Sequence, residues 1–261
     1  MERLPTLFVS HGSPMLALDA GRTGRAWAAL AAELPRPRAI AVASAHWLTA
    51  VPAVSTTAHP ATIHDFRGFP EPLFALRYEP PGAPAVAERT AALLHQAGFQ
   101  VGIDPARGLD HGAWVPLANM YPAAEVPVFQ LAIQPRETPE HHFRVGRALA
   151  ALRDEGVLLI GSGSITHNLR ELDWEAEEGR ATHAYVPEFQ EWLHQRLLAD
   201  DQAALLDYRR QAPGAQRAHP TDEHLLPLYV ALGAAGDGAR AVRHYANITE
   251  GGLAMDLYAF G

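Results

Sequence analysis

Along the chain, short apolar and β-branched runs alternate with longer stretches in which apolar residues recur every three or four positions. The runs TLFVS (6–10), AIAVASA (39–45), AVSTT (53–57), VPVFQLAI (126–133), VLLIGSG (157–163), ARAVRHYANI (239–248) and LAMDLYAF (253–260) read as strands. GRAWAALAAELP, APAVAERTAALLHQAGF, TPEHHFRVGRALAALRDEG, HAYVPEFQEWLHQRLLADDQ and DEHLLPLYVALGAAG read as helices. Thr138 before Pro139 and Glu140 predicts an N-cap with proline at the first helical position, and Gly98, Gly156 and Gly233 mark expected helix ends. Thr221 is expected to cap the last helix, with Asp222, Glu223 and His224 in its first turn. Strands alternating with helices predict an α/β fold: a single three-layer domain spanning 1–261, with a mixed, mostly parallel sheet covered by helices on both faces. The Pro/Gly-rich stretch 59–84 is long for a loop in a compact domain and is expected to form the wall or lid of a site.

Charge and composition narrow the function classes. Twenty-one basic against 29 acidic residues give a formal net charge of -8 with no basic cluster, which argues against a nucleic-acid partner. No apolar run approaches membrane-spanning length, and the apolar stretch in MERLPTLFVSHG is short for a signal peptide, so a cytoplasmic protein without membrane association is expected. The absence of cysteine removes disulfides, thiolate metal sites and cysteine nucleophiles, leaving nitrogen and oxygen to hold any metal. Neither glycine-rich nucleotide motif occurs, and GSGSITH lacks the glycine-serine-glycine register of a nucleophile elbow.

Fourteen histidines are the compositional oddity. His11 ends TLFVS, His46 ends the AIAVASA run, and His167 follows VLLIGSGS. Ligands of open α/β sheets bind outside the carboxyl ends of strands, where these three side chains converge. His111, in GLDHGAW, and His224, in HPTDEHLLPL, add two more in unusual settings. Neutral imidazoles suit Fe(II), zinc and other first-row metals, and three protein ligands leave coordination positions free for substrate. His95, His141, His142, His183 and His194 lie among polar neighbours and read as solvated helix faces, while Trp27, Phe189 and Trp192 read as core.

The segments HGSPM (11–15), SAHW (44–47), DFRGFP (65–70), LDHGAWVPL (109–117), GSGSITHNL (161–169) and HPTDEHLLPL (219–228) occur in this order through most of the chain. The set closely resembles the 4,5-DOPA extradiol dioxygenase family, a branch of the class III extradiol ring-opening dioxygenases related to the catalytic subunit of protocatechuate 4,5-dioxygenase. The resemblance implies that a catechol is opened beside its diol by dioxygen to give a semialdehyde. It implies His11, His46 and His224 as metal ligands, Fe(2+) as the metal of turnover and Zn(2+) as an alternative occupant. His167 corresponds to the catalytic histidine, taking up and returning a proton, and to a fourth ligand when zinc is bound; an ordinary imidazole pKa would suit both proton steps. His111 corresponds to a second catalytic-pocket histidine that touches substrate. Two departures stand out: the wider superfamily has a glutamate ligand where His224 stands, Glu223 being one residue early, and His64 occupies a position where tyrosine is expected, pointing to altered substrate preference. Trp47, Phe66 and Phe69 join His64 as candidate substrate-binding residues, as an aromatic wall. The same histidines would also serve a zinc-dependent hydrolase, or a metal- or small-ligand-binding protein without turnover. The resemblance leaves a homo-oligomer open.

Overall fold

Within the first strand, β1 (Thr6–Ser10), Phe8 packs into one hydrophobic cluster and Leu7 and Val9 into another. The two-residue period recurs in β2 (Ala39–Leu48), where Ala41 and Ala43 face one cluster and Ile40 and Val42 the other, and in β6 (Val157–Gly163), where Leu159 opposes Leu158 and Ile160. A sheet apolar on both faces must be covered on both. Helices Pro84–Gln96, Pro139–Ala148, Tyr185–Leu198 and Leu226–Ala235 cover the Phe8 face, and Gly21–Glu33 and His111–Met120 the other. The computed structural model that shows this describes residues 3–261.

The remaining strands are β3 (Ala53–Ser55), β4 (Gly102–Asp104), β5 (Val128–Ile133), β7 (Ala241–Tyr245), β8 (Ile248–Thr249), β9 (Leu253–Ala254) and β10 (Leu257–Phe260). The main sheet runs β4-β3-β5-β2-β6-β1-β10-β7, and its centre, β5-β2-β6-β1, is parallel throughout. The β3–β5, β1–β10 and β10–β7 pairs are antiparallel, so the sheet is mixed and mostly parallel, as expected. Among the described residues no helix is long and apolar enough to cross a membrane.

Several local expectations change. Helix His111–Met120 and strand β4 had no sequence signal; the helix carries Pro116 in its interior, and its N-cap, Asp110, makes no side-chain capping bond. The last two apolar runs each break in two, and β8 and β9 form a separate hairpin. The final helix begins at Leu226 rather than Asp222, so His224 sits in the preceding turn, and the Thr221 hydroxyl donates to Glu223 instead of capping. That helix passes through Gly233 and ends at Gly236, whose φ is 85°. Gly233 serves a different purpose: a Cβ there would run into the carbonyl oxygen of Phe143, as one on Gly146 would meet that of Val230, so paired glycines let the two helices touch backbone to backbone. His142 is fully buried rather than solvated, accepting from the Gln134 N–H through Nε2 and donating to the Thr138 carbonyl through Nδ1.

Candidate metal centre

The parallel centre of the sheet brings the strand-end histidines together. Ser10 pairs with Gly163 and Ser44 with Ser162, so His11, directly after β1, and His46, on the last stretch of β2 beyond its pairing with β6, come out at the same end of the parallel strands. His224 comes from the turn before Leu226, fixed by its carbonyl, which accepts from the Ser164 N–H at 2.8 Å. His46 Nε2 lies 3.0 Å from His11 Nε2 and 3.3 Å from His224 Nε2.

The outer ring nitrogens decide what those contacts are. The Ser162 hydroxyl donates to the Gly112 carbonyl, so it can only accept from His11 Nδ1–H, at 3.0 Å. Glu223 accepts from His224 Nδ1–H at 3.0 Å, and the Asp65 carboxylate faces His46 Nδ1 at 3.5 Å. Each ring therefore carries its proton on Nδ1 and presents a lone pair from Nε2. Burial, reinforced by the neighbouring imidazoles, drives His11 and His224 well below the ordinary histidine pKa and lowers His46 to about 4, so the rings are neutral. Three lone pairs meeting without a proton repel one another unless a cation lies between them. At metal–nitrogen bonds of about 2.0–2.1 Å, adjacent imidazole nitrogens sit about 2.9 Å apart on an octahedral ion and about 3.4 Å apart on a tetrahedral one. The two spacings from His46 fall in that interval, and each ring is oriented through its far nitrogen as metal-bound imidazoles are.

His111 is close enough to compete. With one donor atom per residue, His11, His46 and His111 lie within 4.8 Å of one another, as do His167, Glu223 and His224. The expected ligand set thus takes two histidines from the first group and one from the second, and His46 Nε2 joins them. His111 points its Nδ1–H away, to Asp65 Oδ1 at 3.0 Å, where its backbone N–H also donates at 2.9 Å. Burial raises the Asp65 pKa, but the hydrogen bonds and charge from His111 outweigh it and leave the carboxyl at about 2. His167 stacks on His224 and is lowered to about 3, first by burial and then by His219, rather than keeping an ordinary imidazole pKa. His219 itself lies outside the cluster, fully buried against Phe189 with its Nε2–H donating to Ile165.

The cluster floors a cavity of about 740 Å³. The expected wall segment supplies Asp65, Phe66, Arg67, Gly68, Phe69 and Pro70, and His111 and His167 also line the space. Trp47 and His64 are outside that wall. His46 and Trp47 are neighbours on β2, so the pleat turns Trp47 away, where it packs on Ala53 and Ala132 under the Arg107 guanidinium. His64 stands behind Phe66, ring centroids 5.6 Å apart, with its Nε2–H donating to Leu76. Asp65, Ser162 and Glu223 orient the rings without any local signature to announce it; only DFRGFP, GSGS and the acidic residue beside His224 mark their places.

Residues 5–255 match the family described as the catalytic LigB subunit of aromatic ring-opening dioxygenase. The chain is 43% identical to a Beta vulgaris protein named 4,5-DOPA dioxygenase extradiol, over 95% of this chain and 92% of that one. It is 42% identical to the Escherichia coli K12 protein of the same name, over 89% and 85% of the two chains. A crystal structure of an uncharacterized Escherichia coli K12 protein superposes with a TM-score of 0.83 at 36% identity, covering 99% of this chain and 100% of that one. With the metal-suited histidine cluster at the mouth of the parallel strands, these matches place the chain in the LigB family of aromatic ring-opening dioxygenases.

Proposed function

We propose that the protein is an Fe(II)-dependent extradiol dioxygenase that opens the ring of a DOPA-like catechol, with His11, His46 and His224 holding the metal. The convergence of three neutral Nε2 lone pairs at the floor of a cavity of about 740 Å³ carries this reading. Ferrous iron held by His11, His46 and His224 would supply Lewis-acid activation of a catechol and electron transfer to dioxygen.

The chain's own residues do the rest. Neutral His167, beside His224, accepts the proton of a catechol hydroxyl; its basicity increases when an anionic ring oxygen lies next to it, and it returns the proton to a dioxygen-derived oxygen as the O–O bond breaks, both oxygen atoms remaining in the product. His111, held by Asp65, presents its free ring edge to the same space. Phe66 and Phe69, packed edge to face with ring centroids 5.4 Å apart, form an apolar flank against which an aromatic ring lies and which excludes water.

The test is anaerobic Fe(II) loading, addition of 4-methylcatechol or DOPA, and admission of oxygen. The expected result is one dioxygen consumed per catechol with appearance of a yellow semialdehyde, abolished by replacing Fe(II) with Zn(II). Oxygen-independent turnover of an ester or amide panel by the zinc form, with no catechol consumed by the iron form, would overturn the proposal.

A further inference from the structure

Glu250 occupies a backbone conformation that suits it poorly. The β8–β9 hairpin turns through Glu250 (φ 52°) and Gly251 (φ 65°), closed by a hydrogen bond from the Gly252 N–H to the Thr249 carbonyl. Positive φ at both central residues makes this a primed turn, which favours asparagine, aspartate or glycine at its first position. Glutamate gains nothing locally from that geometry and costs about 1 kcal/mol in it.

What the position provides is a view of the cavity. Glu250 lines the same space as His11, His46 and His167, yet its Oε2 is buried with no hydrogen-bond partner among the described residues. Burial raises its carboxyl to about 7, the signature of an acid facing no cation. The hairpin is also fixed relative to the metal cluster. Thr166, next to His167, donates to the Gly252 carbonyl and accepts from the Ala254 N–H, both at 2.8 Å, while the Asp173 N–H donates to the Glu250 carbonyl at 2.9 Å.

Building on the catechol reading above, we propose that Glu250 is a specificity-determining residue that binds a cationic ammonium group on the substrate's side chain. A half-buried carboxyl group in a strained turn, with its Oε2 buried and unpartnered and its backbone on a rigid mount, is matched by an ammonium that supplies both charge and donors.

The test compares dopamine with 4-ethylcatechol, which differ by that ammonium group, in wild type, Glu250→Gln and Glu250→Asn. Asparagine suits the turn and removes the charge, so its fold is secure. Both variants are expected to lower the dopamine-to-4-ethylcatechol ratio of kcat/KM about tenfold, and anaerobic calorimetry of the Fe(II) protein should show the same loss in relative affinity. Ratios within twofold of wild type in both measurements would overturn the assignment. A protein that binds dopamine selectively through Glu250 but consumes no oxygen would instead sink the dioxygenase reading and leave the assignment standing.

Discussion

His167 lies flat against His224, their ring centroids 3.3 Å apart and their planes within 10° of parallel. The two rings share one wall, but the Nε2 contact to His46 belongs to His224. Of these neighbouring imidazoles, His224 meets the cluster through Nε2, and both line the cavity.

That difference separates metal content from turnover. His11→Ala, His46→Ala and His224→Ala are each expected to leave less than about a tenth of an equivalent of iron after anaerobic loading and desalting, whereas His167→Ala keeps a full equivalent and loses at least about 100-fold in turnover. Elemental analysis and an oxygen electrode read the two quantities. Iron retained in His224→Ala but lost in His111→Ala would move the centre to the group formed by His11, His46 and His111.

Asp65 positions two rings at once, His111 through two hydrogen bonds and His46 across 3.5 Å. Replacing it with asparagine keeps the shape but removes the charge that fixes both tautomers. Metal affinity should fall by about 10–100-fold in competition with a chromophoric chelator. An unchanged affinity would show that the rings hold their orientation without it.

Gly233→Ala tests the backbone contact between the two helices behind the sheet. The added methyl has no space against the Phe143 carbonyl, so the helices must part, at a cost of about 1–3 kcal/mol or more. A urea midpoint equal to that of wild type would mean the pair can separate freely.

Acid should destabilise the metal-free protein in a defined window. His46, His142 and His219 are each lowered by burial to about 4, and His11 and His224 go well below their ordinary value. In the unfolded chain these residues take up protons near pH 6.5, while in the folded protein His46, His142 and His219 do not do so until about pH 4 and His11 and His224 only well below 6.5. The unfolded state binds more protons in between, so stability is full above about pH 6.5 and declines as pH falls toward about 4. Each histidine contributes up to about 1.4 kcal/mol per pH unit in that window. Unfolding midpoints of metal-free protein at pH 7.5, 6 and 5 would expose the trend, and a constant midpoint would contradict it.

The central strands were legible because both faces of the sheet are buried: β1 and β6 have the bounds that their apolar runs predict. His11, His46 and His167 were legible for the same reason, each following such a run. The period that places His46 in the site also sends Trp47 out of it, a consequence available from the sequence once β2 is known to run to Leu48. Helix His111–Met120 was hidden by an internal proline and by an Asp110 side chain committed to Ser44, Arg107 and Gln130 instead of to a cap. Asp65 and Ser162 were hidden because their partners are remote in sequence, 46 residues away for Asp65–His111 and 151 for Ser162–His11. No periodicity encodes such pairings. Glu250 gave no signal either, since its strain is a property of φ and not of composition.

The three converging rings are also far apart along the chain, His11 and His46 by 35 residues and His46 and His224 by 178. An ion gripped by them knots the first strand, the second strand and the C-terminal third into closed loops, and so restricts the denatured chain as a crosslink does. Removing it releases that constraint across nearly the whole polypeptide, so a chelator should speed proteolysis at sites remote from the cavity.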